Sequence, residues 1–452
     1  MNTGNLHSDL RTGTRNKDIL KMALPISISI LVPQFNFITN NVFLGHYSKE
    51  ALAVASITGV YYLIFSMIGF GLNGGLQTLI ARRAGENKPG EIGKIFGQGI
   101  YISLIVAAAG IIFTWFVSPF ILKKVLHSEY ISDAAIEYLK IRIWGLPFLY
   151  MYQMRNAVLI GTNNSRLLII GTLAETLANI GFDYLFIFGH WGFPELGLNG
   201  AAVASIIAEF IGMTVIFIVI HYNNISKRFS LFSSITPDKK YIKQILSISL
   251  PLVVQFAISV ISWEFFFILI EHHGQNALAV SNIMRNVFGL SGCITWAFAA
   301  TSSTMTSNLI GQGRKKDVYS LIRKIVKLSS GLTLILVIMI NLFPGLLISL
   351  FGQDINFVKD SVPVVRVVTI AMFLMSMAVV WLNAVTGTGN SRVTLYIELI
   401  TIILYSLYVY FVLEKLNYSI TIGWTGEWVY WLSILGMSFL YIRSGKWENK
   451  NI

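Results

Sequence analysis

Twelve long apolar runs dominate the chain, near positions 19–44, 51–81, 92–120, 134–160, 167–188, 198–221, 242–270, 277–310, 318–350, 357–385, 393–413 and 420–442. A helix of about 20 apolar residues crosses the hydrocarbon core of a bilayer. Helices of this length satisfy their own backbone hydrogen bonds, which hydrocarbon demands. The runs therefore predict an all-α integral membrane protein with twelve transmembrane helices. Several are longer than the bilayer is thick, which implies tilt or extension past the headgroups. Of 452 residues, 54% are hydrophobic and 12% charged, against a charged share of about 25% in soluble domains. No hydrophilic stretch is long enough for a soluble enzyme domain, so secreted, disordered and membrane-anchored soluble classes are disfavoured.

The net charge of +12 fits a positive-inside bias better than nucleic-acid binding. The basic connections hold Arg11, Arg15 and Lys17; Arg82, Arg83, Lys88 and Lys94; Arg166; Lys227, Arg228, Lys239, Lys240 and Lys243; Arg314, Lys315 and Lys316; Arg392; and Arg443, Lys446 and Lys450. The alternate connections hold only Lys49, Lys123, Lys124, Lys359 and Lys415. This alternation predicts cytoplasmic termini and an even number of spans in a prokaryotic plasma (inner) membrane. Cys293 is the single cysteine, so neither an internal disulfide nor a thiolate metal cluster is expected. The basic start of the chain lacks a signal-peptide core. His272 and His273 read as a solvated loop pair rather than metal ligands.

Shifting the sequence by 226 residues aligns it with itself without gaps. Lys17, Ile19, Leu20, Leu24 and Pro25 recur as Lys243, Ile245, Leu246, Leu250 and Pro251. Ala51-Leu52-Ala53-Val54 recurs as Ala277-Leu278-Ala279-Val280, and Thr78 and Gly85 as Thr304 and Gly311. Gly161-Thr162-Asn163-Asn164-Ser165-Arg166 recurs as Gly387-Thr388-Gly389-Asn390-Ser391-Arg392. Leu and Ile identities arise by chance between apolar helices; the Pro, Gly and Asn-Ser-Arg identities do not. The expected organisation is an N-terminal lobe over 1–221 (helices 1–6), a cytoplasmic linker over 222–241 and a C-terminal lobe over 242–452 (helices 7–12). Six spans per copy make the two pseudo-symmetric lobes parallel repeats, an architecture that favours a transporter working by alternating access. No nucleophile–base arrangement, metal-ligand cluster or phosphate loop is recognisable, so no enzymatic activity and no cofactor are expected. Glycines 69–75 lie within a helix and read as close-packing positions.

Four elements then resemble a known family. Leu24-Pro25 opens a first helix that closes with Val42-Phe43-Leu44-Gly45. Ala51-Leu52-Ala53 is followed by Gly71-Leu72-Asn73-Gly74-Gly75-Leu76-Gln77-Thr78-Leu79-Ile80 and Gly85. The third element is the Gly161 to Arg166 motif, and the fourth is Gly197-Leu198-Asn199-Gly200-Ala201-Ala202-Val203-Ala204-Ser205. In order, spacing and duplication they resemble the MATE (multidrug and toxic compound extrusion) transporters over nearly the whole chain. The resemblance implies two six-helix lobes around a central cleft. It also implies export of organic, often cationic, small molecules driven by inward Na⁺ or H⁺. The same superfamily contains flippases for lipid-linked oligosaccharides, the alternative reading, which cavity-facing Arg155, Arg285 and Arg366 would support. A ligand-gated signalling protein is disfavoured by the duplication. A monomer in the lipid bilayer is expected, without nucleic acid.

Ionisable groups inside a bilayer are functional candidates by default. Glu175, Asn179 and Asp183 fall at i, i+4 and i+8 of the fifth run and share one helical face. Glu209 lies mid-span in the sixth run beside Ser205. Carboxylate, amide and hydroxyl oxygens suit Na⁺, and a carboxylate alone carries H⁺. No metal site is certain; Na⁺ at Asp183 and Asn179 is the candidate. The resemblance aligns Asn179, Asp183 and Ser205 with the amino-lobe cation site of one prokaryotic branch, and puts Asn40 where that branch has Asp. A purely structural network of Asn40, Asn179 and Asp183 is the competing reading, with Arg155 a possible neutralising partner of Glu175. In the carboxyl lobe, positions where other branches carry Glu in the seventh helix are Ser259 and Glu264. A Glu of their eighth helix aligns with Arg285, and the acid of their tenth has no match. Glu264 and Arg285 are expected to form a buried pair, either a strut or a proton switch. Gln34, Phe35, Asn36, Phe37, Gln255, Trp263, Phe266 and Trp296 are candidates for the substrate cleft, because aromatic faces attract organic cations.

Overall fold

The computed structural model describes residues 10–126, 128–232, 236–349, 355–450 and 452. Among these residues the chain is all-helical, without strands. The helices are α1 (Asn16–Tyr47), α2 (Lys49–Gly85), α3 (Pro89–Phe116), α4 (Ser118–Val125), α5 (Glu129–Arg142), α6 (Leu146–Gly161), α7 (Leu168–Phe188), α8 (Gly197–Tyr222) and α9 (Ile225–Phe229). They continue with α10 (Lys239–Glu271), α11 (Gln275–Gly311), α12 (Val318–Leu342), α13 (Pro344–Ser349), α14 (Ile355–Gly387), α15 (Ser391–Val409), α16 (Ile420–Gly423) and α17 (Gly426–Arg443).

Nine helices among the described residues are long and apolar enough to cross a membrane: α1, α2, α3, α8, α10, α11, α12, α14 and α15. The other three apolar runs of the sequence fall on α5 with α6, on α7 and on α17. A 3-10 turn at Ile143–Gly145 separates α5 from α6, and a proline in its first turn opens α6. Glu175 and Asp183 lower the apolar content of α7, and α17 has only 18 residues. The expected run 318–350 is broken into α12 and α13 just before Pro344, because proline lacks the N–H needed to continue a helix; its last residue lies outside the described residues.

Contacts divide the chain into two compact units, one holding Ile28–Val253 and the other Arg11–Ser27 with Val254–Ile452. Each unit thus contains a short piece of the opposite half of the sequence. In the first, the start of α10 lies directly on α2. A Cβ on Gly71 would stand 2.5 Å from the side chain of Val253 and 2.7 Å from its backbone, and one on Gly75 would strike the Ser249 hydroxyl. These glycines are close-packing positions, as their place within a helix implies. In the second unit the chain before α1 is tied to α11 and α12. Asn308 Oδ1 accepts from the Thr12 backbone N–H at 3.0 Å, and Lys324 Nζ donates to the Thr14 carbonyl at 3.2 Å.

Within the first unit α7 packs along α8, and α6 packs on α2 and α3. Within the second, α14 packs on α11, α12 and α17, and α15 on α17. The second unit's core gathers Phe266, Phe288, Tyr405 and Trp424, and the Trp424 indole N–H is satisfied by Ser281 Oγ at 3.1 Å.

The repeat is visible in the backbone. Asn163 and Gly389, 226 apart, both have positive φ (62° and 92°), as do Asn87 and Gly313 (56° and 78°) and Trp191 and Asn417 (58° and 50°). The left-handed region favours Gly and Asn, which explains why these two types replace each other in the first two pairs; Trp191 departs from that preference. Gly161 and Gly387 are also equivalent. A Cβ at Gly161 would lie 2.7 Å from the Ile80 side chain, and one at Gly387 3.0 Å from Cβ of Thr306, which is the counterpart of Ile80. The same close helix approach is built in each unit.

Candidate functional site

In the first unit α7 presents Asn179 and Asp183 on one buried face; they are 3% and 0% exposed. The Asn36 amide, from α1, donates to Asn179 Oδ1 at 2.6 Å. Asn179 Nδ2 in turn donates to Ser205 Oγ of α8 at 3.5 Å. This polar chain links three helices, and its central member, Asn179, lies one turn from Asp183. Neither oxygen of Asp183 finds a hydrogen-bond donor among the described residues, although both are buried. A buried carboxylate without a donor is unfavourable. A proton or a cation would satisfy it. The first-helix member of this group is Asn36, assigned from the sequence to the cleft, rather than Asn40. Asn40 is half-buried, with no hydrogen bond among the described residues.

Glu175, one turn earlier on the same face, lies against Gly212 of α8, where a Cβ would come within 2.7 Å of the Glu175 Cβ. It is not paired directly with Arg155. The fully buried Arg155 donates to the Met151 carbonyl at 3.0 Å and to the Met213 carbonyl at 2.7 Å, with its guanidinium 4.6 Å from the Phe217 ring.

Glu209 has a partner that the sequence reading did not single out. Arg142, at the end of α5, donates to Oε2 at 2.9 Å and to Oε1 at 2.6 Å. Tyr62 donates to Oε1 at 3.2 Å, and the guanidinium sits 3.8 Å from the Tyr62 ring centre. A Cβ on Gly145 would strike both charged groups. These contacts leave the charge of Glu209 balanced by Arg142 within the bundle.

In the second unit Glu264 and Arg285 do pair, at 2.6 Å. The pair is not buried, however: the side chains are 43% and 38% exposed. The guanidinium stands 5.0 Å from the Trp263 ring and 4.9 Å from that of Phe267, so the aromatic face of Trp263 already holds a cation. Of the other cleft candidates, Phe35, Phe37 and Trp296 are exposed and Gln34 is half-buried. Phe266 is instead a core residue, 0% exposed and 5.1 Å from Trp424. His272 contacts Glu414 at 3.0 Å and His273 the Leu413 carbonyl at 3.1 Å.

Two further buried acids were missed. Glu398 of α15 and Glu427 of α17 are 1% and 6% exposed. Glu398 accepts from Ser259 Oγ at 2.5 Å, from Gln255 Nε2 at 3.4 Å and from the Tyr430 hydroxyl. Glu427 accepts from Tyr405 at 3.2 Å and from the Trp431 indole at 3.0 Å. Both lie inside apolar runs, which was the signal available in the sequence.

The sequence pattern of the MatE family matches residues 25–185 and again 251–411. Both the starts and the ends of these segments differ by 226, the offset of the internal repeat. The chain is similar to a probable multidrug resistance protein NorM of Thermotoga maritima, 26% identical over 96% of this chain and 94% of that one. A protein of the same description from Synechocystis is 29% identical over 50% of this chain and 49% of its own length. Among solved structures, a MOP superfamily transporter from Pyrococcus furiosus aligns over 100% of both chains with a TM-score of 0.87 at 18% identity. A MATE crystallised in complex with MaL6 aligns over 98% of both chains with a TM-score of 0.86 at 19% identity. With the family pattern matched once in each half of a duplicated all-helical fold, the chain belongs to the MatE family.

Proposed function

We propose that this protein is a secondary active antiporter that exports organic, often cationic, small molecules in exchange for Na⁺ or H⁺ by alternating access. The observation that carries the coupling is Asp183, a fully buried carboxylate with no donor among the described residues, set beside the Asn36–Asn179–Ser205 chain. A carboxylate held in this way gains most from a proton or small cation, and its cost when empty supplies the difference that drives a conformational change. The drug-export part is supported by relatives described as probable multidrug resistance proteins. On this reading the chain spans a prokaryotic plasma membrane twelve times, works as a monomer, has both termini in the cytoplasm and carries out no enzymatic step.

Two observations favour this reading over a lipid-linked flippase. Arg155 is fully buried and so out of reach of an anionic headgroup, although no carboxylate pairs with it, and Arg285 is neutralised by Glu264. Arg366, by contrast, is exposed and forms no ion pair among the described residues, and is the one of the three that fits a flippase. The test is dye efflux from proteoliposomes or everted vesicles under separate Na⁺ and H⁺ gradients. One gradient should drive efflux, and Asp183→Asn should abolish it. If neither gradient moves any cationic dye and Asp183→Asn changes nothing, the antiporter reading fails.

A further inference from the structure

The second unit holds two buried acids that have no cationic partner. Glu398 and Glu427 sit on neighbouring helices, each served by a tyrosine of the other helix: Tyr430 of α17 donates to Glu398 of α15, and Tyr405 of α15 donates to Glu427 of α17. The two phenol rings pack edge to face, 5.5 Å apart at 73°. The remaining donors are Ser259, Gln255 and Trp431, all neutral. The titratable groups in contact with the two acids are the two tyrosines; no Lys, Arg or His forms an ion pair with either acid among the described residues. Glu209 shows the contrast, since that acid has its own arginine.

Ser259 supplies the moving part. Its Oγ lies 2.5 Å from Glu398 Oε1 and also 2.9 Å from the backbone carbonyl of Gln255, one turn back on α10. A hydroxyl has one proton and two lone pairs. With Glu398 charged, Ser259 donates to the carboxylate. With Glu398 protonated, Ser259 can turn its proton to the Gln255 carbonyl and accept the new carboxyl O–H. Both arrangements satisfy the group, so the site holds either charge state without moving a helix. Two more buried hydroxyls without partners, Ser262 and Thr401, lie one helical turn from Ser259 and Glu398.

We propose that Glu398 is a proton-uptake site in the second unit, with Ser259 as the hydroxyl that follows its charge and Glu427 connected to it only through the packed Tyr430 and Tyr405. Uptake adds one proton from water to a Glu398 carboxylate oxygen, and release returns it to water; no other bond is made or broken. The proposal rests on the ion-coupled reading above and assigns it a second group.

The test is labelling of the purified full-length protein with dicyclohexylcarbodiimide, which reacts with protonated buried carboxyl groups, followed by peptide mass spectrometry. Labelling at Glu398 should rise at least several-fold as the pH is lowered from about 8 to about 6 at constant Na⁺, following the protonated fraction. In parallel, Glu398→Gln should lower proton-driven dye efflux by about tenfold or more, Ser259→Ala should lower it by several-fold, and Ser259→Thr should restore it. Absence of an adduct at Glu398 across this range, or wild-type efflux by Glu398→Gln, overturns the proposal. Protection of Glu398 by Na⁺ at constant pH overturns the assignment to protons. Labelling uses the native chain, so a variant that fails to fold leaves the test intact. It also needs no substrate. A pH-dependent adduct in a protein that exports no dye would sink the exporter reading and keep the proton site.

Discussion

Arg142 and Glu209 form a two-pronged ion pair across α5 and α8, with hydrogen bonds of 2.9 and 2.6 Å and side chains only 12% and 7% exposed. Parallel bonds between a guanidinium and a carboxylate are among the strongest in proteins. Removing one partner strands the other charge in the helix bundle, at a cost of about 3–5 kcal/mol. Arg142→Met and Glu209→Gln should therefore each lower the melting temperature sharply in detergent. The double change to Met and Leu should recover most of the loss, because neither charge is then buried alone. Two single variants that melt like the wild type would show that the pair does not stabilise the first unit.

The opposite result is expected at Asp183. Its carboxylate accepts no hydrogen bond among the described residues, so Asp183→Asn removes a buried charge and breaks nothing. The variant should melt at or above the wild-type temperature while gradient-driven efflux falls by about tenfold or more. Asn36→Ala behaves differently, since it leaves Asn179 Oδ1 without its donor at a cost of about 1–3 kcal/mol. A large drop in melting temperature for Asp183→Asn would mark Asp183 as structural.

Glu264 and Arg285 pair over 2.6 Å but remain about two-fifths exposed, so removing one partner does not seal the other charge inside the bundle, and the cost should be smaller than at Arg142 and Glu209. Arg285 also keeps its contacts with Trp263 and Phe267 when the carboxylate is lost. Glu264→Gln should leave the melting temperature nearly unchanged. Because stability is unaffected, efflux becomes a clean readout for this variant. A loss of transport at normal expression favours a proton switch, and unchanged transport removes that reading.

The fold was more legible in the sequence than the site. Apolar runs and the 226-residue offset were enough to place helices and repeat, because both are properties of the chain read along its length. Partners across helices are not. Arg142 and Glu209 are 67 positions apart and Ser259 and Glu398 are 139 apart, and spacing within one helix says only which face a residue shares. The first-helix partner of Asn179 shows the same limit: Asn36 and Asn40 differ by one turn, and only the packed helices choose Asn36. The repeat could not help either, because it preserves turns and not chemistry. The counterpart of Asn179 is Tyr405, that of Asp183 is Val409, and that of Glu398 is Thr172.

The preserved backbone nevertheless makes a graded prediction. Gly161 and Gly387 hold equivalent places, but an added methyl would meet different atoms. At Gly161 it approaches Cγ2 of Ile80 at 2.7 Å, with the nearest backbone atom, Ala81 N, at 3.3 Å; at Gly387 it approaches the backbone carbonyl of Ser303 at 2.5 Å, which can give only if α11 moves. Overpacking a tight helix contact costs about 1–3 kcal/mol, and relaxation decides where in that range a site falls. Gly387→Ala should therefore lower the melting temperature more than Gly161→Ala, measured in the same detergent. Equal losses, or a larger one at Gly161, would show that the two close approaches are equally deformable and that the backbone contact in the second unit is not the stiffer of the two.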